Sequence, residues 1–218
     1  ARLILRGYCM AQRVSAQRVY DYVREMIVSK ELFPGNRIVE EELADALHTS
    51  RTTVRNGIAA LSYNGLVDVI PNYGTFVTKP SFADMTQVYS VRIVLETEAI
   101  RQAIPLLSEA NLKRMEDNLQ AQRELTTNYS MARYVDLNTD FHEEILRASS
   151  NIYLQKYLRE LFNKTAVFLT FYDTSINNSD SLISHERLFD ALSRKDEQAA
   201  IEALKQDIEI ATDCICIK

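Results

Sequence analysis

Apolar residues recur at helical spacing at the start of the chain and then change period. Between Val14 and Lys30, the residues Val19, Tyr20, Val23, Met26 and Ile27 form one stripe of the kind a helix buries. Phe33-Pro34-Gly35 breaks it. A second helix is predicted from Glu41 to Leu47, with Leu43, Ala44 and Leu47 inward, and His48-Thr49 turns the chain. Ser50 is a good N-cap for a third helix. There Val54, Ile58 and Leu61 share one face and leave Arg51, Thr52 and Arg55 on another. Asn64-Gly65 ends that helix. The β-branched run Leu66 to Ile70 then predicts a strand, Pro71-Asn72-Tyr73-Gly74 a turn, and Thr75-Phe76-Val77 the returning strand. Helix, turn, helix and hairpin in that order form the layout of a winged helix-turn-helix.

The punctuation changes after residue 80. All five glycines lie at or before Gly74, and only Pro105 of the four prolines lies beyond Pro80. Tight turns therefore concentrate early and long helices should follow. Amphipathic segments are predicted over 82–106, 109–127, 131–149, 151–175, 180–194 and 196–213. Ser108, Asn111, Asn128, Ser130, Asn151 and the stretch Asn177 to Ser179 mark the breaks. Short connections between long amphipathic helices make an antiparallel bundle. The expected fold is mostly α: a winged helix-turn-helix domain over 1–79 and an all-helical ligand-binding and dimerisation domain over 80–218, joined at Thr78-Lys79-Pro80-Ser81.

Composition changes this picture little, and charge changes it more. At 46% hydrophobic and 25% charged, the 218 residues suit a soluble globular protein. No apolar run approaches the ~20 residues that span a bilayer. The opening ARLILRGYCMAQRVS lacks a signal-peptide core and cleavage site and carries no functional weight. Three cysteines (Cys9, Cys214 and Cys216) make no disulfide framework, so a reducing cytoplasm is expected. Cys214 and Cys216 read as terminal thiols, with no partner ligands nearby. The net charge of −5 divides unevenly: residues 1–79 hold 10 Lys+Arg against 8 Asp+Glu, and the remainder 15 against 22. The acidic excess therefore lies outside the helix-turn-helix, and the local field at the contact face governs steering toward DNA.

A recognition helix enters the major groove with its first residues at base edges and its neighbours on phosphates. Arg51 and Arg55, four apart, point the same way, and Ser50, Thr52 and Thr53 offer hydroxyls beside them. A solvated helix face is the plain alternative, made weaker by the position of the pair just after the turn. The segment resembles the GntR family of bacterial transcription factors. The resemblance rests on Pro34-Gly35-Asn36-Arg37, Glu41 to Leu47, Ser50 to Arg55, Asn64-Gly65-Leu66 and the wing glycine Gly74. It implies Arg51, Thr52, Arg55 and Gly74 as DNA contacts, within a candidate set that also holds Arg37, Ser50 and Thr53. The chain departs from the pattern at Asn56-Gly57, where Glu-Ala is usual, and at Thr53, where proline is common. Glycine in a helix interior costs about 1 kcal/mol relative to alanine. Gly57 therefore signals either close packing or a weakened recognition helix.

Beyond His48 the chain has only two more histidines, His142 and His185, on different predicted helices. Asn138 and His142 share a helical face, and Asp207 lies on the last helix. Imidazole with oxygen ligands suits a divalent transition metal such as zinc or nickel. From spacing alone, each lone histidine reads equally well as a hydrogen-bonded core residue. The region resembles the all-helical effector (FCD) domain of FadR-type GntR regulators through Arg92 and Glu96, Asp140-Phe141-His142, Ser149-Ser150-Asn151 and the stretch around His185. That resemblance implies a metal site at Asn138, His142, His185 and Asp207, with Asn138 in place of the family's aspartate and Asp207 in place of its last histidine. The same residues with Arg92 form the candidate effector site, the guanidinium serving as a bidentate partner for an organic carboxylate. A salt bridge from Arg92 to Glu96, one turn away, is the competing reading.

The expected function is a transcriptional regulator, a repressor acting as a homodimer on double-stranded operator DNA. A small effector in the bundle, with or without a metal, would modulate its affinity. One rival is a metal-dependent enzyme built on His142, His185 and Asp207, but no general base or nucleophile stands out. A second rival is a DNA-binding protein whose bundle only dimerises.

Overall fold

Serine caps set the helix starts. Ser15, Ser50, Ser81, Ser108 and Ser130 each accept a hydrogen bond from the backbone N–H three residues on, satisfying a donor the helix itself leaves unpaired. At Ser81 and Ser108 the third residue, Asp84 or Asn111, reaches back to close a capping box. Asn111 is therefore part of a helix start and not a break. The computed structural model describes residues 15–172 and 178–216, with side chains to residue 211. The expectations for residues 1–14 and Cys9, for the end of the 151–175 helix, and for the thiols of Cys214 and Cys216 lie outside the described residues.

The N-terminal part runs α1 (Ala16–Val28), β1 (Arg37–Ile38), α2 (Glu40–Ala46), α3 (Arg51–Tyr63), β2 (Val67–Ile70) and β3 (Gly74–Val77). The three strands form an antiparallel sheet in the order β1-β3-β2, with Arg37 opposite Phe76 and Val67 opposite Val77. The two-residue β1 is too short to show a period of its own, and only its pairing with β3 makes it a strand. His48 turns the chain between α2 and α3 with φ +49°, a left-handed conformation uncommon for non-glycine residues. Val19, Val23 and Ile27 of α1 meet Val54, Ile58 and Leu61 of α3 in one apolar core. Gly57 sits at this contact: a Cβ there would lie 2.6 Å from Val19 Cβ. Close packing, not a weakened helix, accounts for it.

The remainder is helical: α4 (Phe82–Ala103), α5 (Glu109–Leu125), α6 (Met131–Ala148), α7 (Ile152–Tyr172), α8 (Ser179–Ser193) and α9 (Glu197–Cys216). Its main core gathers Met85, Tyr89, Met115, Leu119, Phe141, Leu188 and Leu204 from five of these helices. Glu144 of α6 clamps α5 by accepting from Asn111 at 2.9 Å and from Arg114 at 2.7 Å. The winged helix rests on α6 and α7. Val167 joins its core, the Phe171 ring packs tilted against Phe33 with centroids 5.4 Å apart, and Arg24 of α1 pairs with Asp136 of α6 at 2.5 Å.

Candidate functional site

The surface formed by α2, α3 and the wing carries the sequence-predicted DNA residues. Arg51, Thr52 and Arg55 are exposed on α3. Ser50 and Thr53 are engaged with each other: the Thr53 N–H donates to Ser50 Oγ at 3.1 Å, and their hydroxyls are 2.9 Å apart. Gly74 opens β3 with φ +126°, conformational space that side chains avoid, and Arg37 Nε lies 3.2 Å from where its Cβ would be. The fold thus joins Arg37 to Gly74 across the sheet. The tip of the wing itself is Pro71 to Tyr73, with Tyr73 strongly exposed. Both of these exposed arginines meet carboxylates of α2, Arg51 with Glu41 and Arg55 with Glu40 at 2.8 Å.

Inside the bundle, α6, α8 and α9 bring His142, His185 and Asp207 together, each buried, with one ligand atom apiece all within 4.8 Å of one another. His142 Nε2 is 3.3 Å from Asp207 Oδ2, and His185 Nε2 is 3.7 Å from Asp207 Oδ1. Neighbouring ligand atoms around a tetrahedral zinc stand ~3.4 Å apart, so the widest pair would have to draw in by up to about 1.4 Å around such an ion. The outer partners fit as well. Gln122 Nε2 donates to Asn118 Oδ1 at 2.7 Å, which turns Gln122 Oε1 toward His185 Nδ1 at 3.0 Å. His185 therefore carries its proton on Nδ1 and aims the Nε2 lone pair at Asp207. That Nε2 is buried without a hydrogen-bond partner. Burial pushes the ring down to about 4, despite the opposing pull of Asp207, so the imidazole is neutral. A buried lone pair facing a carboxylate is unfavourable, and a cation between them relieves it.

On the other side of His142, Nδ1 lies 2.8 Å from Glu96 Oε2, within ion-pair range but poorly aligned for a hydrogen bond. Burial disfavours its charge, yet Glu96 and Asp207 outweigh that and raise the ring to about 9. Both carboxyls are held below their ordinary values. Burial raises each, but Arg92 and His142 outweigh it at Glu96, and the two histidines outweigh it at Asp207. Arg92 donates from Nε to Glu96 Oε1 at 2.7 Å and from Nη1 to Thr165 Oγ1 at 3.4 Å, with the Phe162 ring 4.9 Å away. The competing reading of Arg92 as the partner of Glu96 is thus the observed geometry. Asn138, half-buried one turn before His142, gives its amide N–H to Ser181 Oγ at 3.3 Å, and the three-residue cluster forms without it. The space beside Glu96 and His142, lined by Leu146, Leu158, Phe162 and Leu204, has no room for a water molecule. Gln122 and Thr165 carried no sequence signal. Each is an ordinary polar residue on an amphipathic helix until the fold turns it inward.

Comparison with known proteins gives the class first. Residues 15–77 match the bacterial regulatory proteins of the gntR family, and residues 87–209 match the FCD domain. The HTH-type transcriptional repressor RspR of Escherichia coli is 25% identical over 201 residues, covering 91% of this chain and 88% of that protein. A GntR transcriptional regulator from Rhodococcus superposes with a TM-score of 0.78 at 25% identity over 92% of this chain and 97% of its own. The E. coli McbR/YncC structure, with a TM-score of 0.81, 20% identity and coverage of 94% and 98%, shares the fold. Fold and matches together define a DNA-binding transcriptional regulator. The chain belongs to the GntR family, with an FCD domain as its helical part. No helix among the described residues is long and apolar enough to cross a membrane.

Proposed function

We propose that this regulator represses transcription from operator DNA as a homodimer and that the buried His142–His185–Asp207 cluster is its sensing site. The reading rests on one observation: the His185 Nε2 lone pair, fixed by Gln122, faces Asp207 with no donor between them. Such an arrangement suits a divalent transition ion such as zinc or nickel held by His142, His185 and Asp207, with Glu96 and Gln122 orienting the two imidazoles. The ion would supply a Lewis-acidic position for an anionic oxygen. The buried charges cancel in pairs, Arg92 against Glu96 and protonated His142 against Asp207. A divalent ion in exchange for the His142 proton leaves one positive charge, which the carboxylate of an organic acid matches. Arg92, whose charge Glu96 already balances, and Asn138 are the remaining polar groups assigned to that effector, and the closed space beside Glu96 and His142 must open to admit it.

Transmission to DNA runs through α6. The helix that carries His142 also carries Asp136, which holds Arg24 of α1, and α1 is packed directly on the recognition helix. Displacing α6 moves one DNA-binding unit relative to its twin, and half-site spacing makes affinity sensitive to that placement. Arg51, Thr52 and Arg55 read bases, with Ser50, Thr53, Arg37 and Gly74 at the backbone. Val91 and Val94 on α4 and Tyr153 and Tyr157 on α7 are exposed apolar residues available to a second copy. A metal-dependent enzyme is the weaker reading, since a family of DNA-binding regulators supplies the winged helix with a role that hydrolysis does not. Calorimetric titration of the metal-stripped chain with Zn2+ tests the site. One ion per chain is expected for the wild type and none for His185→Ala, with circular dichroism confirming the fold of both. No binding, or equal binding by the variant, overturns the proposal.

A further inference from the structure

We propose that Glu41 is a specificity determinant of DNA recognition, accepting a hydrogen bond from a cytosine amine beside the guanine that Arg51 reads. The inference rests on the assignment of Arg51 to the base edges. Glu41 stands in the first turn of α2, and its carboxylate pairs with the Arg51 guanidinium at the first position of α3. Both side chains are about two-thirds exposed, 64% for Glu41 and 61% for Arg51, so neither is committed to the core. The pair lies on the surface that carries Thr52 and Arg55.

An acid in that place is costly for a protein that binds a polyanion. It repels phosphates and neutralises an arginine that would otherwise attract them. Once docked against DNA, the carboxylate loses water, and as guanine takes the Arg51 guanidinium it needs another donor. Phosphates and sugars of DNA give it none. In the major groove the amines are cytosine N4 and adenine N6, whereas guanine O6 and N7 and thymine O4 only accept. A carboxylate matches the lone cytosine amine, and an adjacent guanidinium matches the guanine O6 and N7 pair. Each G·C pair sets those two groups side by side on one groove edge, as Glu41 and Arg51 stand side by side on the protein. Facing thymine or guanine, Glu41 would set acceptor against acceptor and reject the site. The same carboxylate lowers binding to unmatched DNA by holding Arg51 until a guanine competes for it.

The test is selection of duplexes from a randomised pool by the full-length chain, as wild type, Glu41→Ala, Glu41→Gln and Arg51→Ala. The selected duplex and a scrambled one are then titrated at several salt concentrations. Wild type is expected to enrich a cytosine at one position of each half-site. Glu41→Ala flattens that position, losing about 5- to 100-fold in discrimination. It also binds the scrambled duplex more tightly, with a salt slope steeper by about 0.9. Glu41→Gln, whose amide pairs with adenine, shifts the preference there from cytosine to adenine. Identical enrichment and identical scrambled affinity for wild type and both Glu41 variants overturn the proposal. If Arg51→Ala alone changes the selected sequence, only the role of Glu41 falls. If it changes nothing either, the assignment of Arg51 falls with it.

Discussion

Gly57→Ala should destabilise the protein even though alanine is the better helix former. A Cβ at position 57 would lie 2.6 Å from Val19 Cβ, 2.7 Å from Val19 Cγ1 and 3.0 Å from the Ala16 carbonyl oxygen. Carbon atoms pack best at about 3.5–4.0 Å, so the overlap is about 1 Å. Rotation about χ1 could swing Cγ1 of Val19 aside, but its Cβ is fixed to the backbone. Val19 is also fully buried, so α1 itself must back away from α3. Overpacking of this kind costs about 1–3 kcal/mol, and backbone displacement places it toward the upper end. The gain in helix propensity offsets about 1 kcal/mol. A net loss of about 2 kcal/mol remains, or roughly 4–8 °C in melting temperature for a chain of this size. Scanning calorimetry reads that shift, and operator titration reads its consequence, since α1 seats the recognition helix. A melting temperature equal to or above that of the wild type would refute the close-packing account of Gly57.

Arg51→Ala and Arg55→Ala should each weaken binding to a selected operator by about 1–3 kcal/mol. Their ion pairs with Glu41 and Glu40 are solvent-exposed, so the melting temperature should hold; unchanged mobility-shift titrations would remove them from the contact set. Gln122→Leu should reduce Zn2+ affinity about 10- to 100-fold by freeing the His185 ring, and equal calorimetric isotherms would show that Gln122 does not orient it. Glu144, held below its ordinary value by Arg114, Asn111 and Arg147 against the opposing effect of burial, should stabilise the fold fully above the unfolded carboxylate value. That contribution is lost as pH falls through its lowered folded value. The gap in melting temperature between wild type and Glu144→Gln should therefore close below about pH 4, and a gap constant down to pH 3 would contradict the assignment.

The winged helix was legible because its signals are local. Ser50 caps α3, Gly65 ends it with φ +72°, and the Val54–Ile58–Leu61 stripe marks its inner face. Helix boundaries in the bundle followed from serine and asparagine caps in the same way, within a few residues. What escaped depends on tertiary contact. β1 exists only through its pairing with β3, and Gly57 gave two readings until α1 lay against it. Gln122 looks like any polar residue of α5 until α8 brings His185 to its carbonyl oxygen. The buried triad drew on family resemblance more than on spacing, because His142, His185 and Asp207 lie on three helices whose juxtaposition no sequence period encodes. The pairing of Arg92 with Glu96 was visible as an i,i+4 spacing, but its burial beside Phe162 and Thr165 was not.

Titration of a selected operator by fluorescence anisotropy, with the chain first stripped of metal and then saturated with Zn2+, tests the sensing account most directly. Coupling between the triad and the recognition helix predicts a change in affinity of about 5- to 150-fold in the wild type. In His185→Ala the two titrations should coincide. Coincident curves in the wild type, or an equal shift in the variant, would contradict the claim that His142, His185 and Asp207 govern DNA binding.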